Sequence, residues 1–257
     1  MSLIISVYCN EGIVLASESR ATQTFHKRSF PFSDNVHKTF ETPNGYGIST
    51  CGAASINGQP IAGYIERFVQ AYDYENVNVK QFTEKLGEAF SIKGYDGLLI
   101  FHVAGYDRDE NGVSTEQLYR LILNSGSIVS VRDIANANNS GAIWDGVTEI
   151  LSRLIKGVVI PSAIDLVDDL VFTNEGTTKS LPSAYVVPKE GSSCYPESTI
   201  SWGLFSLQDA IDFARFGIRT TIDAQRFLST EKTVGGPIDI LVIRPDGIKW
   251  ISQKVLK

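Results

Sequence analysis

The hydrophobic and polar positions follow two different periods along this chain, and the period predicts which segments are strands and which are helices. Two β-rich runs, LIISVYC (3–9) and GIVLASES (12–19), are separated by two residues and predict a hairpin. The runs KTFET (38–42) and YGISTCG (46–52) repeat this pattern around a Pro-Asn-Gly turn. We therefore expect each pair of runs to form two neighbouring antiparallel strands.

Apolar residues at helical spacing predict four helices. They run from about 58 to 72, from 79 to 90, from about 142 to 156, and onward from Ser206. Ser206 and Asp209 have the spacing of a helix cap, with the carboxylate near the positive end of the helix dipole. This last helix has the longest apolar stripe of the four.

Strand-type runs return between the helices at 95–107 and 116–124, and IDILVI with GIKWI predicts a closing hairpin. The order is strands, two helices, strands, two helices, strands. Because the helices are grouped, the order argues against a doubly wound parallel sheet. It favours an α+β fold of layered, mostly antiparallel sheets with helices on the outer faces.

The chain of 257 residues reads as a single domain, 1–257, with an irregular insertion at about 157–205 that contains the loop-like NEGTTKS and KEGSSC. The net charge is −6 and no Lys/Arg run exceeds two residues, which excludes a nucleic-acid footprint. No apolar stretch approaches about 18 residues, so we predict no membrane span.

The cysteines and histidines give no sign of a metal site. The three cysteines form no CxxC pair, and the three histidines lack metal-ligand spacing. An odd number of cysteines without a signal peptide predicts a reducing, cytoplasmic compartment. We therefore predict neither a metal nor a cofactor.

The stretch GIVLASESRAT (12–22) carries the candidate chemistry, because an apolar strand passes directly into charged residues. Taken alone, Glu18 and Arg20 at a strand end fit a surface ion pair. Taken with the order of the elements and TVGGPIDILVI near the end of the chain, the stretch resembles the β-type subunits of the proteasome. It is also similar to the bacterial proteasome-like proteins HslV and Anbu.

This resemblance covers nearly the whole chain except about 157–205, and it implies an N-terminal-nucleophile hydrolase with a four-layer αββα sandwich. Such enzymes use the first residue of the mature chain as nucleophile and its own α-amine as base, with a reference pKa of about 7.7–8.0. Removal of Met1 would expose Ser2. The resemblance then implies peptide or unfolded polypeptide as the substrate.

The resemblance assigns roles residue by residue. It places Ser2 at the nucleophile, Glu18 at the acid, Lys38 at the catalytic lysine, Gly52 at the oxyanion-hole glycine, and Ser140 at the serine that contacts the nucleophile's amine. By the same mapping, Arg20, Thr22, Thr50 and Ala54 line the substrate cleft.

One position departs from the pattern of the family, which has an Asp at the end of the last long helix. Direct extension of the helix puts Gln225 or Phe227 there, and Asp223 takes the role only if the helix shifts by two residues.

Two other functions stay open at this stage. One is a catalytically inactive ring or assembly protein of the same fold. The other is a small-molecule amidohydrolase, which would need a Cys as first residue, and Cys9 lies too deep in the first strand. The resemblance implies a homo-oligomer, as a ring or a helical stack. The chain itself carries no ATPase motif.

Overall fold

The computed structural model describes residues 2–26, 28–75, 77–92, 94–135, 140–156, 200–229 and 231–255. The strands are β1 Leu3–Cys9, β2 Gly12–Glu18, β3 Ala21–Phe25, β4 Arg28–Ser33, β5 Thr39–Glu41, β6 Gly47–Gly52, β7 Ser55–Ile56, β8 Gln59–Pro60, β9 Leu98–Arg108, β10 Ser114–Asn124, β11 Ser127–Ala135, β12 Gly141–Gly146, β13 Ile238–Arg244 and β14 Gly247–Ser252. The helices are α1 Ile61–Ala71, α2 Val79–Phe90, α3 Glu149–Lys156 and α4 Leu207–Phe227, with a 3₁₀ turn at Trp202–Leu204.

Two five-stranded sheets form the centre of the molecule. The first has the order β12-β1-β2-β13-β14 and the second β11-β10-β9-β6-β5, and all the strand pairs are antiparallel. Strand β1 lies between β12 and β2 and is buried along its whole length. It follows directly after Ser2, so neighbouring strands hold the start of the described chain from both sides.

Each sheet presents one face to helices and the other face to the second sheet, because side chains alternate along a strand. In the first sheet, Ile5 and Val14 pack with Ile218 of α4, whereas Leu15 packs with Ala104 of the second sheet. On the outer face of the second sheet, α1 and α2 bury their apolar stripes against β6, β9 and β10. The layers are therefore helix, sheet, sheet, helix, as the resemblance predicted.

The helix predicted over 142–156 is wrong in its first part. Residues 141–146 form β12, which pairs with β1, and the helix begins only at Glu149. The break lies at Gly146, which has φ of +100° and approaches the Ser2 carbonyl so closely that a Cβ would lie 1.8 Å from that oxygen. The helix over 79–90, the capping box at Ser206 and the closing hairpin are confirmed.

Strands β3 and β4 form a hairpin between the predicted runs 12–19 and 38–42, in a segment for which the sequence analysis predicted no strand. Of the predicted insertion at 157–205, residues 157–199 lie outside the described residues. The single-domain organisation stays a prediction. In the part of the chain that the structure describes, no helix is long and apolar enough to cross a membrane.

Candidate active site

A small cavity lies at the end of the sandwich where β1 begins and where β2 and β6 end. Seven of the ten predicted site residues line it, namely Ser2, Arg20, Thr22, Lys38, Thr50, Gly52 and Ala54. Its volume of about 20 Å³ has room for one water molecule. The structure thus brings together residues that are up to about 50 positions apart in the sequence.

Glu18 lies just behind this cavity and is completely buried. Its Oε2 accepts hydrogen bonds from the backbone N–H groups of Arg20, at 2.7 Å, and Gly235, at 3.1 Å. Its Oε1 accepts from the N–H of Leu3, at 3.4 Å, and from the ammonium group of Lys38. A buried carboxylate needs such partners because burial otherwise disfavours its charge. The charge at the end of β2 is therefore an internal ion pair.

Lys38 precedes β5 and is 5% exposed. Besides Glu18, its Nζ donates to the carbonyl of Arg20 at 2.5 Å. Burial lowers the pKa of Lys38, and the neighbouring Glu18 acts in the opposite direction. Glu18 thus supports a charged lysine in a buried position, where its ammonium group can stabilise negative charge on a hydroxyl that lines the same cavity.

Arg20 forms the rim of the cavity. Its guanidinium group makes a two-pronged ion pair with Asp34, with Nε–Oδ1 and Nη2–Oδ2 distances of 2.6 and 2.8 Å. The hydrogen bond from Arg20 lowers the pKa of Asp34. Arg20 also donates to the carbonyl of Lys232 at 3.2 Å. This side chain therefore ties the end of β2 to the turn before β13.

Gly52 ends β6 with φ of +106°, and a Cβ there would lie 2.1 Å from the Leu98 carbonyl oxygen, so only glycine fits. Backbone N–H directions alternate along a strand. The N–H of Thr50 bonds to Lys38 on one side of β6, and the N–H of Ala53 bonds to Leu98 on the other. The alternation therefore directs the Gly52 N–H to the side of Lys38. Strand β5 begins at Thr39, opposite Ser49, so no residue of β5 lies opposite Gly52.

Ser2 stands at the head of β1 and is 7% exposed. Its carbonyl accepts a hydrogen bond from the N–H of Val147 at 2.7 Å, and the next residue, Leu3, is opposite Gly146. Thr50 lines the same cavity and is buried, and its hydroxyl has no hydrogen-bond partner among the described residues. A buried hydroxyl without a hydrogen-bond partner, in the same cavity as Ser2, suits contact with a water molecule or a substrate.

Sequence comparison finds three archaeal relatives, each a proteasome subunit beta. The chain is 28% identical over 152 residues to the protein from Methanothrix thermoacetophila, covering 58% of this chain and 69% of that one. It is 26% identical to the proteins from Methanococcoides burtonii and Methanosarcina thermophila, over 161 and 166 residues, which are 60% and 63% of this chain and 72% and 73% of theirs.

Among solved structures, the fold is similar to that of a Gly-1 mutant of Anbu from Hyphomicrobium sp. strain MC1. The TM-score is 0.53 at 12% identity, over 99% of this chain and 86% of the other. No protein-family model matches the chain. The resemblance to proteasome β subunits and Anbu is confirmed. At this identity, the structural likeness shows the fold alone.

The assignment of Ser140 as the serine that contacts the amine of Ser2, which was taken from the proteasome β pattern, is wrong. Ser140 precedes Gly141, which is opposite Tyr8, whereas Ser2 lies beyond Leu3, which is opposite Gly146. Five residues of strand separate the two ends of β12, which is about 17 Å at about 3.4 Å per residue. A contact between Ser140 and the amine of Ser2 is therefore excluded, and the segment beside Ser2 is 146–148.

The structure also keeps Asp223 away from the cavity. It lies on the outer side of α4, where it pairs with Arg219 at 2.8 Å and Arg226 at 3.8 Å, and its side chain is 39% exposed. The alternative position, Gln225, is buried. It accepts from the N–H of Val234 at 3.0 Å.

The sequence reasoning missed the turn before β13 as part of the site. The N–H of Gly235 donates to Glu18, and Ser19 bonds to the same turn through its N–H to the Gly235 carbonyl, at 3.0 Å, and through its hydroxyl to the Pro237 carbonyl, at 2.8 Å. The paired glycines in TVGGPIDILVI were the available signal, since Gly236 has φ of +78° and passes close to Asp34.

A second polar cluster lies between the two sheets. Ser6 Oγ is 2.7 Å from His102 Nδ1, and His102 Nε2 is 2.8 Å from Asp145 Oδ2. Arg120 donates to both oxygens of Asp145, at 2.7 and 2.6 Å. The order Ser, His, Asp is that of a hydrolytic triad, but Ser6 and His102 are completely buried, so no substrate reaches them. The cluster joins strands of both sheets.

Among the described residues, no group of three or more His, Cys, Asp or Glu side chains is placed to hold a metal ion. Cys51 lines the Ser2 cavity, and burial raises the pKa of its thiol. A thiol with a raised pKa is a poor nucleophile at neutral pH. Within the described site, the hydroxyl of Ser2 is therefore the better candidate nucleophile.

Proposed function

We propose that the chain is an N-terminal-nucleophile hydrolase that cleaves peptide bonds through Ser2. The observation that carries this proposal is the single cavity lined by Ser2, Lys38 and Gly52, with the buried carboxylate of Glu18 behind it. The sequence relatives, which are proteasome β subunits, support the same reaction class.

In the proposed reaction, removal of Met1 leaves Ser2 with a free α-amine. The amine takes the hydroxyl proton while Ser2 Oγ attacks the substrate carbonyl carbon. The ammonium group of Lys38 offsets the negative charge that develops on Oγ. The N–H of Gly52 donates to the carbonyl oxygen as it becomes an oxyanion, which is worth about 3–4 kcal/mol in related sites.

The proton on the amine of Ser2 then passes to the leaving amine of the substrate, and the C–N bond breaks to leave an ester on Ser2. A water molecule donates its proton to the α-amine and attacks the ester, which returns the hydroxyl of Ser2 and releases the acid. Glu18 takes no direct part, because it faces Lys38 and three backbone N–H groups. Its role is to hold Lys38 in place and charged.

The test is covalent labelling of Met1-free protein with an epoxyketone or a β-lactone, read by intact mass and peptide mapping. We expect one adduct, located on Ser2, none on the S2A variant, and at least a 100-fold slower reaction for K38M. The matched control is K85M, which removes an exposed lysine of α2. Absence of an adduct on folded, Met1-free protein would overturn the proposal.

A second candidate, an inactive assembly protein of the same fold, is favoured by one observation. Ser140 and Asp223, which the family pattern places beside the nucleophile, both lie away from the cavity. Intact mass of the protein purified from its native host separates the two functions, because retention of Met1 blocks the amine. For either function we propose a homo-oligomeric ring or stack, which light scattering of the purified protein tests.

A further inference from the structure

A second buried lysine–carboxylate pair lies behind the candidate active site. The Nζ of Lys254, in the segment that follows β14, bonds to Oδ2 of Asp239, and the backbone N–H of Lys254 donates to Oδ1 at 2.8 Å. The side chains are 3% and 0% exposed. Two buried lysines, Lys38 and Lys254, thus each pair with their own carboxylate, and the carboxylates Glu18 and Asp239 lie on the neighbouring strands β2 and β13.

The register places this second pair directly beside the residues of the site. Asp239 is opposite Ser17 in β2, and the preceding residue, Ile238, is opposite Glu18. On the other side, the hydroxyl of Thr39 donates to the hydroxyl of Ser17 at 2.8 Å, and Thr39 follows Lys38. Asp239 is therefore one strand away from Glu18, and Ser17 and Thr39 connect it to the chain beside Lys38.

The segment after β14 also fixes the start of β13. The hydroxyl of Ser252 donates to the Ile238 carbonyl at 2.8 Å, and Lys254 clamps Asp239 through two contacts. The turn immediately before these residues carries the Gly235 N–H that donates to Glu18. If the start of β13 moves, this donor moves with it.

The charge of Lys254 also acts on Lys38. The ionisable groups that act on Lys38 from the surrounding elements are Glu18 on β2, Cys51 on β6, Asp34 directly after β4, and Lys254. Burial lowers the pKa of Lys38 most, Glu18 and Cys51 oppose it, and the positive charge of Lys254 adds to the lowering. His37, in the same region, faces Lys254, Asp239 and Glu66.

We propose that Lys254 and Asp239 are positioning residues of the Ser2 site. Their pair holds the Gly235 N–H against Glu18, and the charge of Lys254 contributes to the electrostatic environment of Lys38. This inference rests on the proposed function for its importance to catalysis. Its structural content concerns only Lys38 and can be measured on protein that is not active.

The test is the titration of Lys38 by NMR in lysine-labelled protein, for wild type, K254M, D239N and the double variant. K254M leaves the carboxylate of Asp239 alone and raises the pKa of Lys38, whereas D239N leaves a lone ammonium and lowers it. We expect opposite shifts, each on the order of half a pH unit or more. The double variant removes both charges, and we expect its Lys38 pKa to lie between those of the two single variants.

Both single variants break the same contact, so a purely structural effect would shift the Lys38 pKa in the same direction in each. Shifts in opposite directions therefore identify an effect of charge. Shifts of equal sign, or no shift, would overturn the inference. K254R keeps the charge, and we expect it to titrate as wild type even if both single variants fail to fold. The exposed K85M serves as control. If wild type gives no Ser2 adduct and the opposite shifts are still seen, the proposed function fails and this inference stands.

Discussion

Replacing Glu18 with glutamine tests most directly whether the buried ion pair organises the site. The carboxylate accepts hydrogen bonds from Lys38 and from the backbone N–H groups of Leu3, Arg20 and Gly235. Glutamine has nearly the same shape but only one acceptor oxygen, so its amide group faces N–H donors. Lys38 also loses its counter-charge while staying buried. Removing one partner of a buried pair costs about 3–5 kcal/mol, and we expect E18Q to lose this much at pH 7.

The pH dependence of this loss identifies its cause. Burial lowers the pKa of Lys38 in the folded protein, and the loss of Glu18 lowers it further. In E18Q, the unfolded chain therefore binds more protons than the folded protein between the lowered pKa of Lys38 and the unfolded lysine pKa of about 10.4, and this window is wider than in wild type. The free energy of unfolding then rises with pH over this window. We expect the deficit of E18Q to narrow between pH 7 and pH 10.

Urea unfolding of wild type and E18Q at pH 7 and pH 10 measures both effects. The matched control is D34N, which breaks the more exposed pair with Arg20, where Asp34 is 44% exposed. A pair of this kind contributes about 1 kcal/mol or less. The reasoning is refuted if E18Q stays within about 1 kcal/mol of wild type at pH 7. It is also refuted if the deficit is the same at both pH values.

Three further substitutions test other parts of the structure. G52A forces a Cβ to 2.1 Å from the Leu98 carbonyl oxygen at φ of +106°, and we expect a loss of at least about 2 kcal/mol, measured by urea unfolding. Burial raises the pKa of Glu116 to about 6, so stability falls as pH rises from about 4 to 6; after a discount for partial exposure, E116Q should gain about 1 kcal/mol at pH 7 and nothing at pH 4. Burial opposes ionisation of Asp145, but its Arg and His partners lower its pKa. The ionised Asp145 stabilises the folded protein above about pH 4, and this stabilisation is lost as the pH falls through its lowered pKa. We therefore expect D145N to lower the free energy of unfolding by about 3 kcal/mol at pH 7 and to make it less dependent on pH in the acid range.

The parts of the site that lie on strand ends were predictable from the sequence. Glu18 ends β2, Lys38 immediately precedes β5, and Gly52 ends β6. Each of these strands belongs to a hairpin, and the length and type of its turn fix the register of the pair. Once the order of the hairpins matched the proteasome β pattern, the three residues had to meet at one end of the sandwich.

The error at Ser140 has a different origin. The segment GAIWDG is short, and its apolar residues fit the helical period as well as the strand period, so it was absorbed into the helix that follows. Without β12, nothing in the local pattern indicates which end of this segment lies beside Ser2. The pairing of Gly146 with Leu3 supplies that measure, and it is a long-range contact that no local pattern encodes.

The polar residues between the sheets show why local patterns stop short of the site's supporting structure. Ser6, His102, Arg120 and Asp145 come from four strands in two sheets, and each sits singly in an apolar run. Read alone, His102 is a packing histidine. Its partners appear only when the sheets stack, because contacts between layers follow the packing of the sheets and have no sequence period. The same holds for Lys254 and Asp239. Both buried charge clusters therefore become visible only in the folded chain, where strands that are distant in sequence meet.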